Sequence, residues 1–555
     1  MTPFPGSAGD RATVVLALLL TPYALLSQNP PQAPPIHITT HLVQIGVIVR
    51  DSHGPVENLT KDDFSVFDRG KPQRISVFTA ESAVSAPQPG SSQPLSQALA
   101  PNTFSDLPQY GTDKPRSVTI VLLDNLNTLS GNGHEGYETG PEWMEDLALT
   151  NAKAHLVEFV KNLDVKDRVA IYGLSDTLHV LCDFTSDRDR LLTILKNYDT
   201  RSKTNREAAE PGSYHTPVPG KEFNDEMDSQ ALEFAAATNE RRAAQTMAAL
   251  QSIASHVANI PGRKNLVWLT ANLPFSGAAL ARILVPAQIA AYPVDARGLL
   301  PRAVPTSGDD VAGGGSELSS VLGLDGSPAQ TDRPIGIDAM QKMAEVTGGR
   351  AFVNTNNITA AIRGAVEDSA VTYTLGFYID SDSLDGKFHE LKIQVHRSGV
   401  NLRYPKGYLA LKDTSATQDE RHNDYLVAVR SPLESSSIPV TIKVVRVEKP
   451  LPNCLSVFGL IDIHSLYLEQ NASLRTGAVE VATIEQDETG KVLRQSASRI
   501  NFNFTESKYS VYLKSGFPFH QFVQPVVGAI TLRVVVEDPS TAQVGSLIIP
   551  LANVK

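Results

Sequence analysis

From about residue 116 the chain alternates between continuous apolar runs and stretches whose apolar residues recur every three or four positions. "SVTIVLLD" (117–124) is apolar almost throughout, as in a strand covered on both faces. Leu149, Ala152, Leu156, Phe159 and Leu163 then mark one stripe and predict a helix over 141–163. "DRVAIYGLSD" and "LHVLCDF" predict second and third strands close enough for a hairpin, and "SDRDRLLTILKN" a short capped helix. Met247, Leu250, Ile253, Val257 and Ile260 share one face of a long helix over about 229–260. "PGRKNLVWLTANLP", "QIAAYPVDARG" and "AFVN" predict strands four to six. "GIDAMQKMAEVTGGR" and 358–370 predict helices, the first stopped by Gly348-Gly349. This alternation predicts an α/β fold, a doubly wound, Rossmann-like parallel sheet with helices on both faces and right-handed crossovers.

The flanks read differently. Residues 36–82 predict a small β domain: "HITTHLVQIGVIVRD", a turn, then strand–turn–strand in "DDFSVFDRGKPQRISVFTA" around Arg69-Gly70. A Pro/Ser-rich linker spans 83–115. After the helices, "VTYTLGFYID", "GKFHELKIQVHR" and "NLRYPKGYLAL" predict extended segments that close the α/β domain at residue 412. A polar linker covers 413–431. Short strands such as "PVTIKVVRVE", "CLSVFGLIDIH" and "YSVYLKS" then predict a C-terminal β-sandwich over 432–555. Residues 199–228 and 300–334 read as polar insertions.

The chain has 555 residues, 41% hydrophobic and 20% charged, with net charge −11. That is globular composition for about three or four domains, and without a dense basic block no nucleic-acid partner is expected. Arg11 precedes "TVVLALLL", an apolar run too short to span a bilayer. It predicts an export signal over 1–28, hence a periplasmic, cell-surface or secreted protein with no membrane span after its removal. Two cysteines, Cys182 and Cys454, fall in different predicted domains and make no disulfide framework.

Candidate chemistry gathers at strand ends. In "TIVLLDNLNT", Asp124 ends the first strand, and Asn125, Asn127 and Thr128 add side-chain oxygens within four positions. They form either a metal loop or a polar turn in which Asp124 and Asn127 cap backbone N–H groups. Asp176, Asn272 and Asp295 stand near three other strand ends and complete a candidate ligand-binding rim. Gly131–Gly136 spells G-x-G-x-x-G but lies past the strand and short of the helix, the wrong place for a dinucleotide. The Asp380–Asp385 stretch "DSDSLD" lacks the glycine and twelfth-position glutamate of an EF-hand. No G-x-S-x-G, H-E-x-x-H or P-loop occurs, so no catalytic residue is assigned.

Taken in order, "VIVRDSHGPVENLTKDDFSVFDRGKPQRISVF", "TIVLLDNLNT", "GRKNLVWLT", "YPVDARG", "TGGRAFVNTNN" and "YTLGFYIDSDSLDGKFHELKIQVHR" resemble von Willebrand factor type A (VWA) proteins. The resemblance is to the VWFA-related family described from Acidobacteria, and it covers 36–412 well and 432–555 loosely. It implies an exported VWA-containing protein and no defined reaction. The role expected for it is non-catalytic, binding a protein partner or mediating adhesion through the carboxyl-end face of the sheet. It also implies a divalent cation, Mg²⁺ or Ca²⁺, on an Asp-x-Ser-x-Ser loop with a distant Thr and Asp. Here the motif is degenerate. Asp124 matches the first position, Leu126 replaces the second ligand, Thr128 matches the third in kind and Asn127 sits at a wrong offset. "Thr270-Ala271-Asn272" lacks the distant aspartate, and Thr185 or Thr200 are the candidates for the distant threonine. The alternatives are a structural envelope protein with no metal site, and a hydrolase using strand-end carboxylates.

Overall fold

The computed structural model describes residues 40–82, 99–106, 117–128, 142–199 except 166, 221–297 except 261 and 274–276, and 337–554 except 413–416 and 472. The expected export signal (1–28), Gly131–Gly136, Thr200 and most of both polar insertions lie outside them. Among the described residues no helix is long and apolar enough to cross a membrane.

Five strands come first: β1 (Thr40–Asp51), β2 (Gly54–Pro55), β3 (Phe64–Asp68), β4 (Lys71–Gln73) and β5 (Val77–Ser82), followed by a short β6 (Thr103–Ser105). The α/β portion holds β7 (Ser117–Asp124), α1 (Asn125–Thr128), α2 (Glu142–Lys161), β8 (Asp167–Leu174), β9 (Leu178–Thr185), α3 (Arg188–Asn197), α4 (Lys221–His256), β10 (Lys264–Thr270), α5 (Gly277–Leu284), β11 (Ile289–Asp295), α6 (Ile337–Thr347) and α7 (Ile358–Glu367). Next are β12 (Val371–Asp380), β13 (Phe388–Val395), β14 (Asn401–Arg403), β15 (Gly407–Leu409) and α8 (Gln418–Arg430). The last elements are β16 (Val440–Val447), β17 (Cys454–Ile461), β18 (Glu469–Asn471), β19 (Leu474–Gln486), β20 (Val492–Thr505), α9 (Glu506–Ser515), β21 (Phe517–Val523), β22 (Thr531–Glu537) and β23 (Val544–Pro550).

The α/β portion is built on a five-stranded sheet in the order β11-β10-β7-β8-β9. β11, β10, β7 and β8 are parallel, and β9 folds back antiparallel on β8. Alternate residues of the central β7 feed two cores. Val121 and Leu123 pack with α2, α3 and α7, whereas Ile120 and Leu122 pack with α4, α5 and α6. That double coverage is why the strand reads as one unbroken apolar run. "AFVN" was expected as a sixth strand, but Phe352 makes only a single parallel bridge to Val294. The left-handed backbone of Asn354 (φ 52°) turns the chain away directly afterwards.

The expected small β domain over 36–82 does not stand by itself. β1 lies between β12 and β14, β5 pairs with β12, and β3 pairs with β13. Residues before and after the α/β portion thus share one two-sheet β domain, with a core that includes Val47, Phe64, Tyr373, Phe377 and Leu391. Buried Asp368, just after α7, ties this domain to the α/β sheet. It accepts from Arg50 of β1 (3.2 Å), from Arg403 of β14 and from the Tyr292 hydroxyl of β11 (3.1 Å).

The C-terminal portion packs the sheet β21-β17-β16-β6 against the sheet containing β18, β19, β20, β22 and β23 around a common apolar core. Three expectations change here. The 83–115 linker contributes β6 to the first of these sheets. The 413–431 linker contains α8, which starts at a Thr417–Glu420 capping box and buries Ala428 and Val429 against Ala482, Ile484 and Val535. "YSVYLKS", expected as a strand, lies in α9, capped by Thr505 and ended at Gly516 (φ 72°). Tyr509, Tyr512 and Leu513 of α9 meet the core at helical spacing.

The Asp368 junction generates a stability prediction. Asp368→Ala leaves two guanidinium groups unpaired beside the seam and should cost about 3 kcal/mol, the low end for breaking a buried ion pair because both arginines are partly exposed. Urea unfolding of the variant against the parent checks this; a loss under about 1 kcal/mol, the value typical of surface pairs, contradicts the assigned role.

Candidate functional site

The register of the parallel strands sets the rim. Asp124 ends β7 opposite Leu174 of β8, and Thr270 of β10 lies opposite Asp295 of β11. The carboxyl ends of the parallel strands therefore bring Asp124, Asp176, Asn272 and Asp295 to the same edge of the sheet. β9 runs the other way, and Thr185 pairs with Val169 near the start of β8. The antiparallel return carries that threonine to the opposite edge, away from Asp124.

Asp124 itself is sealed inside, with 0% of its surface exposed. Its Oδ1 accepts the backbone N–H of Asn127 at 3.0 Å. Its Oδ2 accepts the Asn127 side-chain amide at 2.9 Å and the Trp268 indole N–H, also at 2.9 Å. An indole nitrogen can only donate, so its hydrogen points at the oxygen a cation would need. Burial pushes the Asp124 carboxyl above the ordinary range, while the Asn127 and Trp268 hydrogen bonds act in the opposite direction.

The neighbouring oxygens are committed in the same way. The Asn127 amide also donates to Thr246 Oγ1 on α4 (3.0 Å), which in turn donates to the Arg242 carbonyl (2.8 Å). Thr128 Oγ1 donates to the Asp124 carbonyl (2.6 Å) and accepts the Ala271 N–H (3.2 Å), joining α1 to the end of β10. Asn125 is 2% exposed, and its Oδ1 accepts the Tyr198 hydroxyl at 3.2 Å. That ring fits because residue 173 is glycine: a Cβ there would stand 2.9 Å from the Tyr198 hydroxyl. Burial raises the Tyr198 hydroxyl to about 12, so at neutral pH it is a donor.

The residues present do not fit a divalent cation. Mg²⁺ and Ca²⁺ require several outward-facing oxygens around one point. Here the carboxylate accepts three N–H hydrogens, the amide presents its N–H side, and the hydroxyl proton is used on a carbonyl. The sequence offered both a metal loop and a capped polar turn for these residues, and the geometry is that of the turn. Asp124, Asn127 and Thr128 are hence corrected from metal ligands to a structural cluster. Among the described residues no group of three or more His, Cys, Asp or Glu could hold a metal ion.

Two further ligand-binding candidates are also used internally. Asp295 is fully buried; Arg297 takes both its oxygens at 2.9 Å, and the Arg297 backbone N–H adds a bond at 3.0 Å. Asn272 accepts the Leu273 N–H on its own Oδ1 at 2.8 Å, in a local turn. Asp176 differs. Its side chain is 55% exposed, in a turn where Ser175 Oγ (2.9 Å) and the Thr177 N–H (3.0 Å) bind Oδ1, with His179 Nε2 3.6 Å away. These hydrogen bonds hold its carboxyl below the ordinary range against a desolvation effect in the other direction. Missed by sequence reasoning were Trp268, read only as part of a strand, Thr246, read only as part of a helix, and Tyr198, between a helix and a polar insertion; the contacts span 73 to 144 residues of chain.

The "DSDSLD" acids do not form a cation loop. Asp385 accepts from Arg69 Nη1 (3.0 Å), the Lys387 backbone N–H (3.0 Å) and His389 Nε2 (3.1 Å), and these partners hold it at about 2. A cleft of about 290 Å³ lined by Glu345, Arg350, Arg403 and Lys406 lies beside the C-terminal end of α6. None of the candidate strand-end residues lines it.

No family model matches the chain, and no curated protein matches it. Solved structures give weak likenesses. An aerotolerance-related membrane protein from Bacteroides fragilis aligns at 12% identity over 46% of this chain and 98% of its own, with a TM-score of 0.25. The conserved hypothetical protein BatB from Bacteroides thetaiotaomicron aligns at 12% identity over 45% and 96%, with a TM-score of 0.24. The pilus adhesin SpaC from Lactobacillus rhamnosus GG aligns at 8% identity over 90% and 61%, with a TM-score of 0.24. At such values none of them transfers an activity or a ligand to this chain.

The Asp124 cluster predicts a specific sensitivity. Trp268→Phe removes one donor to a buried carboxylate and a little volume, and should cost about 2–4 kcal/mol. Thr177→Val, on the exposed turn, should stay within about 0.5 kcal/mol. Denaturant midpoints with unchanged slopes check both, and equal midpoints for the two variants would contradict the assigned hydrogen bond.

Proposed function

We propose that this chain is an exported, non-catalytic protein with a doubly wound, VWA-like domain that binds a protein partner by direct side-chain contact at the carboxyl-end rim, without a bridging cation. The observation that carries the reading is the Asp124 carboxylate, both of whose oxygens are taken by Asn127 and Trp268. The same fact weighs against the hydrolase alternative. A catalytic carboxylate needs access to substrate, and Asp124 and Asp295 are enclosed, while Asp176, the third carboxylate of that alternative, stands exposed on a turn. Among the described residues, the rim offers a partner the exposed Ser175–Asp176–Thr177 turn, with His179 beside it. Export to the periplasm, cell surface or medium rests on the N-terminal apolar run in the sequence.

A second reading, a structural envelope protein with no metal site, is favoured by the way the chain passes through all three portions and ties them together at Asp368 and β6. The rim turn separates the two. Asp176→Lys reverses its exposed charge at little cost in stability. Cross-linked pull-down from envelope extracts should recover partners several-fold less with this variant than with the parent, at an unchanged thermal midpoint. Equal recovery, or none with either protein, would favour the structural reading.

A further inference from the structure

β6 belongs by sequence to the stretch between the β domain and the α/β portion, yet it forms the outer edge of a sheet in the C-terminal sandwich. It is held lightly. Thr103, Phe104 and Ser105 face Lys443, Ile442 and Thr441 of β16. The Val444 N–H donates to the Asn102 carbonyl (2.9 Å), and the Asp106 N–H reaches the Val440 carbonyl at 3.4 Å. Phe104 is its one apolar side chain, and it is only partly buried against the core. By comparison, β16 and β17 pair along the whole of Val440–Val447.

The end of the strand carries a built-in cost. The Asp106 side chain accepts the Val440 N–H on Oδ1 at 2.9 Å, but its buried Oδ2 has no hydrogen-bond partner. Such an oxygen loses its hydration without compensation. Burial pushes this carboxyl up to about 8, and the Glu434 carboxylate, on the α8–β16 connection, adds to the effect. Glu434 in turn faces His256, Arg533 and Asp183.

We infer that the outer edge of β16 is a strand-acceptor site, filled here by the chain's own Thr103–Ser105 and open to the same segment of a second copy when that strand lifts away. Strand addition to a free edge needs backbone complementarity and a pocket for alternate side chains. The segment shown to fit is this one: an aromatic residue between two hydroxyl residues, then a short carboxyl that reaches the Val440 N–H. The partner it specifies is therefore another copy. The pH sense follows from the raised carboxyl. The folded strand keeps a proton that the free strand gives up, so its hold is complete at or below the ordinary carboxylate range and is lost as pH rises through about 8.

Ser105 Oγ and Thr441 Oγ1 are 3.2 Å apart across the pair, which allows a direct test in the full chain. Two separate single variants, Ser105→Cys and Thr441→Cys, are mixed, incubated at pH 6 or pH 9, and cross-linked briefly at pH 7 with a short bismaleimide. Strand exchange should give a 105–441 linked dimer, several-fold more abundant after pH 9. Adding Phe104→Ala to the Thr441→Cys chain should raise the yield by emptying its edge. Adding it to the Ser105→Cys chain should abolish the yield by spoiling the donor. Hydrogen exchange over 454–461 that matches the parent shows the sandwich intact in each variant. No 105–441 dimer at pH 9, or a yield indifferent to which chain carries Phe104→Ala, overturns the inference.

Discussion

A carboxylate at the end of a central parallel strand must be hydrated, neutralised or given donors, because its unpaired burial costs several kcal/mol. Asp124 is given donors: the indole N–H of Trp268 on the neighbouring strand and two N–H groups of Asn127. The choice shapes its surroundings. Trp268 must lie with its nitrogen toward β7, Asn127 must turn its amide between Asp124 and α4, and Thr128 must close onto β10. The residues that the sequence marked as a ligand cradle thereby become a buried knot joining β7, β10, α1 and α4. Among the described residues a rim built this way has no open coordination position, and Asp176 is an exposed side chain on it.

The path of the chain extends the same logic of internal commitment. The β domain is completed only when β12 to β15 return to β1, β3 and β5, and the sandwich receives β6 from far upstream. Buried Asp368 joins the first two portions through Arg50, Arg403 and Tyr292. His256 and Ser436 join α4 to the connection before β16: the His256 ring meets the Glu434 carbonyl at 2.8 Å, and the Ser436 hydroxyl donates to the His256 carbonyl at 2.9 Å. Asp368, His256 and Ser436 each have partners from another portion of the chain, which favours one relative arrangement over many.

Much of the α/β portion was legible in the sequence because its signals are local. The unbroken run of Ser117–Asp124 reports a strand covered on both sides, and the stripe from Leu149 to Leu163 reports a helix on one of them. What escaped was long-range or weakly patterned. Nothing near Val47 announces that its strand pairs with residues more than three hundred positions later. α8 opens on seven polar residues in a row, Gln418–Asp424, and its short apolar stretch, Leu426–Val429, comes only at the end, so no helical period stands out and the Thr417–Glu420 spacing is its clearest mark. In α9, Tyr509, Tyr512 and Leu513 do fall at helical spacing, but its hydroxyl-rich and aromatic composition imitates a strand. The site was half legible. The alternation that marks β7 also marks Asp124 as its last residue, but a strand-end aspartate looks the same in sequence whether it faces a cation or an indole, and Trp268 lies 144 residues away.

The central claim is that the Asp124 carboxylate is spent on protein donors and does not take a cation. It is tested most directly by the thermal midpoint of the intact protein, first in EDTA and then in millimolar Mg²⁺, Mn²⁺ or Ca²⁺. An ion that binds the folded chain a hundredfold below its working concentration adds about 2.7 kcal/mol of stability by mass action. The account predicts midpoints that coincide in all four solutions. A rise of several degrees with any of the three ions, lost in Asp124→Ala, would contradict it.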